Sequence, residues 1–221
     1  MYEWNFEPVM RNKALLAEGL VGTLQLSASA LAIAIPLGLV LALMRLSGFG
    51  VLARIGTGLV YVLRSTALMV VIFWFYFALP ALLGTAVSPY LAATLALGIQ
   101  SSGYFGELFR GGIVSVPAGQ SEAGKALGLS RAQTMRSIIL PQAVRRMLPV
   151  FLLTSIDLVK ATSLAAVITF QDLTYQATRI AAESYRPMET FAVVAVIYFI
   201  LFSGASALTH HVERRLAVSD R

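Results

Sequence analysis

Long apolar stretches recur along the chain, each about the length that an α-helix needs to cross a lipid bilayer. Residues 20–44, 66–83 and 191–208 contain no charged side chain, whereas 90–109 and 148–169 are interrupted by polar and charged ones. The alternation of polar and apolar positions typical of membrane β-strands is missing. The pattern therefore predicts an all-α, polytopic membrane helical bundle with five transmembrane helices.

The composition also favours a lipid environment over an aqueous one. Of the 221 residues, 57% are hydrophobic and 13% are charged, whereas a soluble domain carries about 25% charged residues. The absence of cysteine excludes disulfides, thiolate metal sites and a cysteine nucleophile. No domain boundary or internal repeat is visible, so residues 1–221 are predicted to form a single transmembrane domain.

The distribution of Lys and Arg predicts the orientation of this domain. Basic residues are concentrated in cytoplasmic loops of membrane proteins. If the N-terminus lies outside, twelve basic residues fall inside and four fall outside, which predicts an external N-terminus and a cytoplasmic C-terminus. The twelve are Arg45, Arg54, Arg64, Arg110, Lys125, Arg131, Arg136, Arg145, Arg146, Arg214, Arg215 and Arg221. Since they are scattered, without a basic stripe interleaved with stacking aromatics, no nucleic-acid partner is expected.

The longest cytoplasmic segment, about residues 111–147, has the sequence features of folded structure. Residues 121–127 favour a short helix, which Gly128 can end. Ser130 can cap a second helix that ends before Pro141. We therefore expect two short cytoplasmic helices joined at a glycine.

Residues 119–125 match the G-x-x-x-x-G-K spacing of a phosphate-binding loop. The next residue is Ala126 rather than Ser or Thr, so the hydroxyl ligand for magnesium is missing. The segment also follows Pro117 instead of a long buried strand. We therefore predict that any ATP is bound by another chain.

The same segment carries a second and more specific pattern. Its positions, in chain order, are Glu122, Ala123, Gly124, Gly128, Ile138, Leu140 and Pro141. This spacing resembles the cytoplasmic EAA motif of ABC importer permeases, with Gly124 where the family usually has Ala. Further blocks resemble polar amino acid permeases, and they span residues 64–80, 104–120, 139–149 and 160–164. Among these permeases the chain is most similar to those for acidic amino acids, but Ala67 replaces a usual Pro and Ala161 a usual Asp.

The resemblance implies that this chain is the transmembrane permease subunit of an ATP-binding-cassette importer in the bacterial inner membrane. Polar amino acids, with acidic ones as candidates, would enter the cytoplasm by alternating access. The implied partners are a second permease chain, identical or a sister, two cytoplasmic ATP-binding subunits that hold ATP and Mg, an external solute-binding protein and membrane lipid. The chain itself is expected to hold no cofactor or metal and to catalyse no reaction. The implied ATPase-coupling residues are Glu122, Ala123, Gly124, Ala126, Leu127, Gly128, Ile138, Leu140 and Pro141.

Polar side chains inside the predicted spans are candidates for the substrate path, because a charge at membrane depth must face protein or water. Asp157 and Lys160, one helical turn apart, either line the path or only neutralise each other. Glu107 either lines the path or forms a salt bridge with Arg110, and Arg64 is either an interfacial anchor or a contact for a substrate carboxylate. The full candidate set is Arg64, Gln100, Ser101, Tyr104, Glu107, Asp157, Lys160, Thr162 and Ser163.

Two other classes of function remain open at the level of the residues. An ion-gradient-driven secondary transporter or channel for small polar solutes also needs polar groups in its spans, but it gives no reason for the cytoplasmic motif. An intramembrane enzyme needs a nucleophile or metal ligands at membrane depth, where only Glu107, Asp157 and Lys160 are ionisable. Turnover by the purified chain would favour the enzyme.

Overall fold

The computed structural model describes residues 2–217, without the side chains of residues 83, 208 and 210–217. Within residues 2–217 all regular structure is helical, which confirms the all-α prediction. The helices are α1 Glu7–Arg11, α2 Lys13–Leu46, α3 Gly50–Ser65, α4 Leu68–Phe73, α5 Leu79–Leu83, α6 Pro89–Val114, α7 Ala118–Ala126, α8 Arg131–Thr134, α9 Leu140–Ala161, α10 Leu173–Ser184 and α11 Pro187–Ala217. π-helical turns join α4 to α5 and α8 to α9, and a 3-10 helix, Thr162–Ile168, follows α9.

Three helical segments of residues 2–217 are long and apolar enough to cross a membrane alone: Lys13–Leu46, Arg131–Ile168 and Pro187–Ala207. A fourth crossing is available if Gly50–Ser65 and Leu68–Leu82, which meet at 98°, count as one bent span. Helix α6 has 26 residues, but its polar side chains keep it out of this set. The count of five transmembrane helices therefore stays a prediction.

Helix α6 is the centre of the bundle and packs against α2, α3 and α9. Small residues let the backbones approach closely, as is common between membrane helices. A Cβ atom on Gly38 of α2 would lie 2.6 Å from the Phe105 Cβ atom, and one on Gly98 of α6 would lie 2.7 Å from the Ile33 Cβ atom. The glycines thus determine how closely α2 and α6 pack.

A second hydrophobic cluster joins α1 to the first turns of α2 and α11 and to α10. Its buried members are Val9, Leu16, Leu173, Ala177, Ile180 and Val194. Asp172 caps α10, since its carboxylate accepts a hydrogen bond of 2.8 Å from the Tyr175 N–H. This cluster lies where the first and last long helices begin.

The ends of α2 and α6 lie on one side of the bundle. Arg45, in the last turn of α2, forms a salt bridge with Glu107 of α6, and α7 follows α6 closely. The starts of α2 and α11 therefore lie on the side opposite α7. Which side faces the cytoplasm remains a prediction. Arg221, one of the twelve basic residues on which that prediction rests, lies outside the described part of the chain.

Helix α3 lies between the first two predicted spans, where the sequence pattern predicted no helix. Its 16 residues are too few to span a bilayer, and Arg54 lowers their hydropathy, so a search for full-length spans misses it. Gly56 and Val60 are buried, whereas Val51 and Tyr61 on the other face are more than 70% exposed.

The second cytoplasmic helix was expected to end before Pro141, and this expectation is wrong. A π-helical turn, Met135–Ile139, carries the chain directly into α9. In an α-helix the proline ring clashes with the carbonyl group four residues earlier, and the wider π turn relieves that clash. A π turn at Trp74–Ala78 precedes Pro80 in the same way. The helical path therefore continues from Arg131 to Ile168.

Candidate functional site

The bent span breaks beside the middle of α6. Thr66 and Ala67 have extended backbone, with φ −86° and ψ 138° and with φ −68° and ψ 124°. The Gln100 amide nitrogen donates a hydrogen bond to the Thr66 carbonyl oxygen, and the Tyr104 hydroxyl donates one of 3.4 Å to the Arg64 carbonyl oxygen. Because lipid offers no hydrogen bonds, a broken helix inside a membrane must be satisfied by protein or by water. Helix α6 supplies these donors.

A cavity of about 260 Å³ lies at this break, between α4, α6 and α9. Its volume is a little below the range of about 300–1,000 Å³ for pockets that hold drug-sized ligands, which suits a smaller solute. The cavity is lined by Thr66, Leu68, Gln100, Ser101, Tyr104, Thr154, Asp157, Leu158 and Ala161. Six of the nine lining residues are polar, and Asp157 is the one charged residue among them.

Four of the nine residues predicted for the substrate path line this cavity: Gln100, Ser101, Tyr104 and Asp157. Glu107 lies elsewhere, between Arg45 and Arg110, and accepts a hydrogen bond of 2.5 Å from Arg110. Its position matches the salt-bridge alternative, because the carboxylate ties the end of α2 to α6. The role of all nine residues in transport stays a prediction.

The other four path candidates lie near the cavity without lining it. The Arg64 guanidinium is 5.4 Å from the centre of the Tyr104 ring. The Lys160 ammonium group is 3.3 Å from the Asp157 carboxylate and 5.6 Å from the centre of the Phe202 ring. The hydroxyl groups of Thr162 and Ser163 donate to the carbonyl oxygens of Val159 and Lys160.

Asp157 and Lys160 are exposed, with 73% and 54% of their side chains accessible. Both belong to α9, a segment long and apolar enough to span a membrane. Charged side chains at this depth face protein or water rather than lipid. This face of α9 is therefore not part of the lipid-facing surface.

Five residues of the lining are not among the predicted path residues: Thr66, Leu68, Thr154, Leu158 and Ala161. Thr154 precedes Asp157 by three residues, so helical spacing from Asp157 indicates it. Thr66 and Leu68 carry no such signal, because their position depends on a bend that α6 stabilises.

Helices α7 and α8 meet at a tight hairpin. Gly128 has φ +74°, a left-handed conformation that only glycine adopts readily, and it follows the end of α7. Ser130 and Gln133 form a capping box at the start of α8, with hydrogen bonds of 3.3 Å and 2.8 Å between the side chain of each and the N–H of the other. The expected helix, glycine and cap are thus in place.

Gly124 locks the two arms of this hairpin together. It is buried, and a Cβ atom there would lie 2.7 Å from Cγ2 and 2.8 Å from Oγ1 of Thr134. The Ala that is usual at this motif position would therefore collide with Thr134. The glycine allows α7 and α8 to pack closely.

Most other predicted coupling residues lie on the free surface of the hairpin. Glu122, Ala123, Ala126, Leu127 and Gly128 are exposed. Leu127 is 75% exposed. Further along, Leu140 and Pro141 are exposed and Ile138 is half-buried.

Among the described residues, no group of three or more His, Cys, Asp or Glu side chains is placed to hold a metal ion.

Known proteins are similar in sequence to this chain over almost its full length. The glutamate/aspartate import permease protein GltK of Escherichia coli O6:H1 is 35% identical over 224 residues, covering 98% of this chain and 100% of that protein. The glutamine transport system permease protein GlnP of Escherichia coli K12 is 38% identical over 205 residues, covering 92% and 94%.

The fold is shared as well. A crystal structure described as an amino acid ABC transporter with histidines matches with a TM-score of 0.91 and 34% identity, covering 97% of this chain and 100% of that one. The family model for the binding-protein-dependent transport system inner membrane component matches residues 34–218. The resemblance to ABC importer permeases is confirmed, and the chain belongs to the family of binding-protein-dependent transport system inner membrane components.

Proposed function

We propose that this permease moves polar amino acids into the cytoplasm through the cavity at the bent span. The observation that carries the proposal is a polar cavity at a broken helix within the membrane-spanning bundle, with Asp157 in its lining. Broken helices of this kind form substrate sites in many transporters, because the interrupted backbone offers polar groups where lipid offers none.

Asp157 supports an amino acid as the cargo. The Asp157 carboxylate favours a cationic group and has Lys160 as its partner at 3.3 Å; the ammonium group that every free α-amino acid carries would compete with that partner. The relatives are named for glutamate, aspartate and glutamine, which differ in side-chain charge but share that ammonium group. We infer that Asp157 contacts the ammonium group of the substrate.

We infer that a second permease chain completes the path. Asp157 and Lys160 lie on an exposed face of α9 that lipid cannot solvate. A second copy or a sister chain against this face would enclose the cavity. Alternating access at the interface would then expose the substrate to each side in turn.

The hairpin of α7 and α8 supports coupling to an ATPase. Gly124 packs on Thr134, and from Arg131 the helical path runs without interruption to the residues that line the cavity. Movement of a cytoplasmic ATP-binding subunit against Glu122 and Leu127 would therefore be transmitted to Asp157 through the packed hairpin and one continuous helical segment. ATP and Mg belong to that subunit, and an external solute-binding protein would deliver the cargo to the opposite side.

The charge distribution supports the orientation. The side of the bundle that carries the hairpin also carries most of the basic residues between the helices. We propose that this side is cytoplasmic and that residues 2–12 are external, in the bacterial inner membrane.

The test is ATP-driven uptake by Asp157→Asn in vesicles that contain the complete transporter. We expect uptake of labelled amino acid to fall at least tenfold, because the amide carries no charge for the ammonium group, while ATP hydrolysis continues. Glu183→Gln is the matched control, because Glu183 is an exposed acid paired with Arg179 outside the cavity. Uptake by Asp157→Asn at the rate of this control would contradict the proposal.

A further inference from the structure

An aromatic strap, residues 2–6, precedes α1 on the side of the bundle opposite the hairpin. Tyr2, Trp4 and Phe6 are 48%, 57% and 40% exposed. Their rings pack on one another in sequence, with 5.4 Å between the ring centres of Tyr2 and Trp4 and 5.8 Å between those of Trp4 and Phe6. Met10, one helical turn after Phe6, is 57% exposed. Four large apolar side chains therefore form a single exposed patch.

The strap is fixed to the start of the last span by hydrogen bonds to a fully buried Glu189. The Tyr2 hydroxyl donates to one carboxylate oxygen at 2.5 Å, and the Asn5 N–H donates to the other at 3.1 Å. Arg186 donates a hydrogen bond of 2.8 Å to the Glu3 carbonyl oxygen. The hydrogen bond to Glu189 raises the pKa of Tyr2, so its hydroxyl keeps the proton that it donates. The aromatic patch is therefore held in one place.

The contacts of α1 place the strap at the level where the long helices begin. Val9 packs with Leu16, in the first turn of α2, and with Val194, in the second turn of α11. Glu7 and Arg11 form a salt bridge of 2.6 Å on another face of α1. The apolar stretches of α2 and α11 begin at residues 20 and 191, which are four residues after Leu16 and three before Val194, so this level lies near the membrane interface.

Exposed apolar side chains at the start of α11 lie at the same level as the patch. In the first turns of α11, Met188 and Phe191 are 57% and 44% exposed. Tyr and Trp are enriched at this depth because their rings are apolar and their edges carry a polar group. Residues 2–10 hold two acidic and no basic side chains, so attraction to anionic lipid is not what would hold them there.

We propose that the aromatic strap inserts into the headgroup and acyl-chain boundary of the leaflet opposite the hairpin, and anchors the starts of α2 and α11 there. The occupant of the patch is lipid. Neutral phospholipid suffices, because the contact depends on aromatic side chains rather than on charge. The proposal is independent of the cargo and of ATP, so its test can fail while the transport function stands.

The sequence offers a direct reporter, because Trp4 and Trp74 are its two tryptophans. In the full-length chain, Trp74→Phe leaves Trp4 as the single reporter, and Trp4→Phe leaves Trp74, in the second limb of the bent span, as the control for insertion. Each variant is reconstituted in phosphatidylcholine vesicles with bromine either near the headgroup or in the middle of the acyl chain. Iodide is added on both sides of the membrane as the quencher in water.

We expect Trp4 to be quenched more strongly by bromine near the headgroup than by bromine in mid-chain, and only weakly by iodide. Strong quenching by iodide with none by either lipid would overturn the proposal, since the strap would then face water. Protection from all three quenchers would also overturn it, since protein, such as a second copy, would then cover the patch.

A second measurement does not rely on fluorescence. Because the chain has no cysteine, Trp4→Cys accepts one nitroxide label without further changes. We expect the label to collide more with oxygen, which concentrates in lipid, than with a nickel chelate in water. Thr178→Cys, at an exposed position of α10, is the matched control and should show the opposite preference. Equal behaviour of the two labels would contradict lipid contact at the strap.

Discussion

The bend at Thr66–Ala67 and the hairpin at Gly128 both interrupt the helical chain, but they are stabilised differently. The hairpin contains its own signals, a glycine in the left-handed conformation and a Ser130 capping box. The bend contains no glycine or proline. The Thr66 hydroxyl donates a hydrogen bond of 2.7 Å to the Val62 carbonyl oxygen, but the Thr66 carbonyl oxygen is satisfied by Gln100 of α6. A break at an exposed surface can rely on local sequence and on water, whereas a break in the membrane needs a partner helix.

In the proposed mechanism this difference separates two tasks. A locally determined hairpin would keep its shape under the force of an ATP-binding subunit. A bend that depends on neighbouring helices changes when those helices move. The cavity is therefore placed where movement of α6 against α9 alters its lining.

The largest effect is expected from Gln100→Leu at the bend. Leucine leaves the Thr66 carbonyl oxygen without its donor, and an unsatisfied buried polar group costs about 1–3 kcal/mol. We expect a lower melting temperature in detergent and loss of uptake. Gln25→Leu, at an exposed position of α2, should change neither. Equal melting temperatures for the two variants would show that α6 does not stabilise the bend.

Gly128→Ala should have the next largest effect, and at the hairpin. An alanine in the left-handed conformation costs about 1–2 kcal/mol. We expect normal insertion but reduced ATP-driven uptake, because the arms of the hairpin no longer meet at the same angle. Gly119→Ala, where a Cβ atom meets nothing within 4 Å, is the matched control. Unchanged uptake by Gly128→Ala would remove the turn from the coupling mechanism.

Gly124→Ala should cost about 1 kcal/mol, the low end for overpacking, because α7 lies at the surface. The new methyl group collides with Thr134. We expect Gly124→Ala to reduce ATP-driven uptake. Thr134→Ala removes the two colliding atoms, so the double variant Gly124→Ala, Thr134→Ala should recover most of that loss. If the double variant is as impaired as the sum of the single variants, the two residues do not act through this contact.

Ala67→Pro should have the smallest effect, a gain of about 0.4–1 kcal/mol. The φ of −68° at Ala67 and the extended Thr66 before it already fit a proline. Ala53→Pro is the opposite control, because the Ala53 N–H donates a hydrogen bond of 3.0 Å to the Phe49 carbonyl oxygen. Melting temperatures in detergent should rise for the first and fall for the second. A fall for Ala67→Pro would mean that the bend has a different backbone.

Sequence was informative wherever the cause of a structure is local. The apolar stretches predicted the long helices, and the spacing from Glu122 to Pro141 predicted the hairpin and the family. Polar residues inside apolar stretches identified Gln100, Ser101, Tyr104 and Asp157, which the fold brings to one cavity.

Features that depend on neighbouring helices were missed. Helix α3 has 16 residues, fewer than the about 20 that a span needs, and the bend after it is satisfied from α6. Pro141 normally ends a helix, but the π turn before it keeps α8 and α9 continuous. The role of Gly124 depends on Thr134, ten residues away, and the motif alone gives no reason for that contact.

The central claim is that an ATPase, acting on the hairpin, drives amino acid transport through this chain. The most direct test measures labelled amino acid uptake and ATP hydrolysis in the same vesicles, with and without the ATP-binding subunits, for the wild-type chain and Glu122→Lys. We predict uptake only when the ATP-binding subunits and ATP are present, and its loss in Glu122→Lys although the protein is inserted normally. Uptake by the chain alone under an ion gradient, or ATP-driven uptake by Glu122→Lys at the wild-type rate, would contradict the claim.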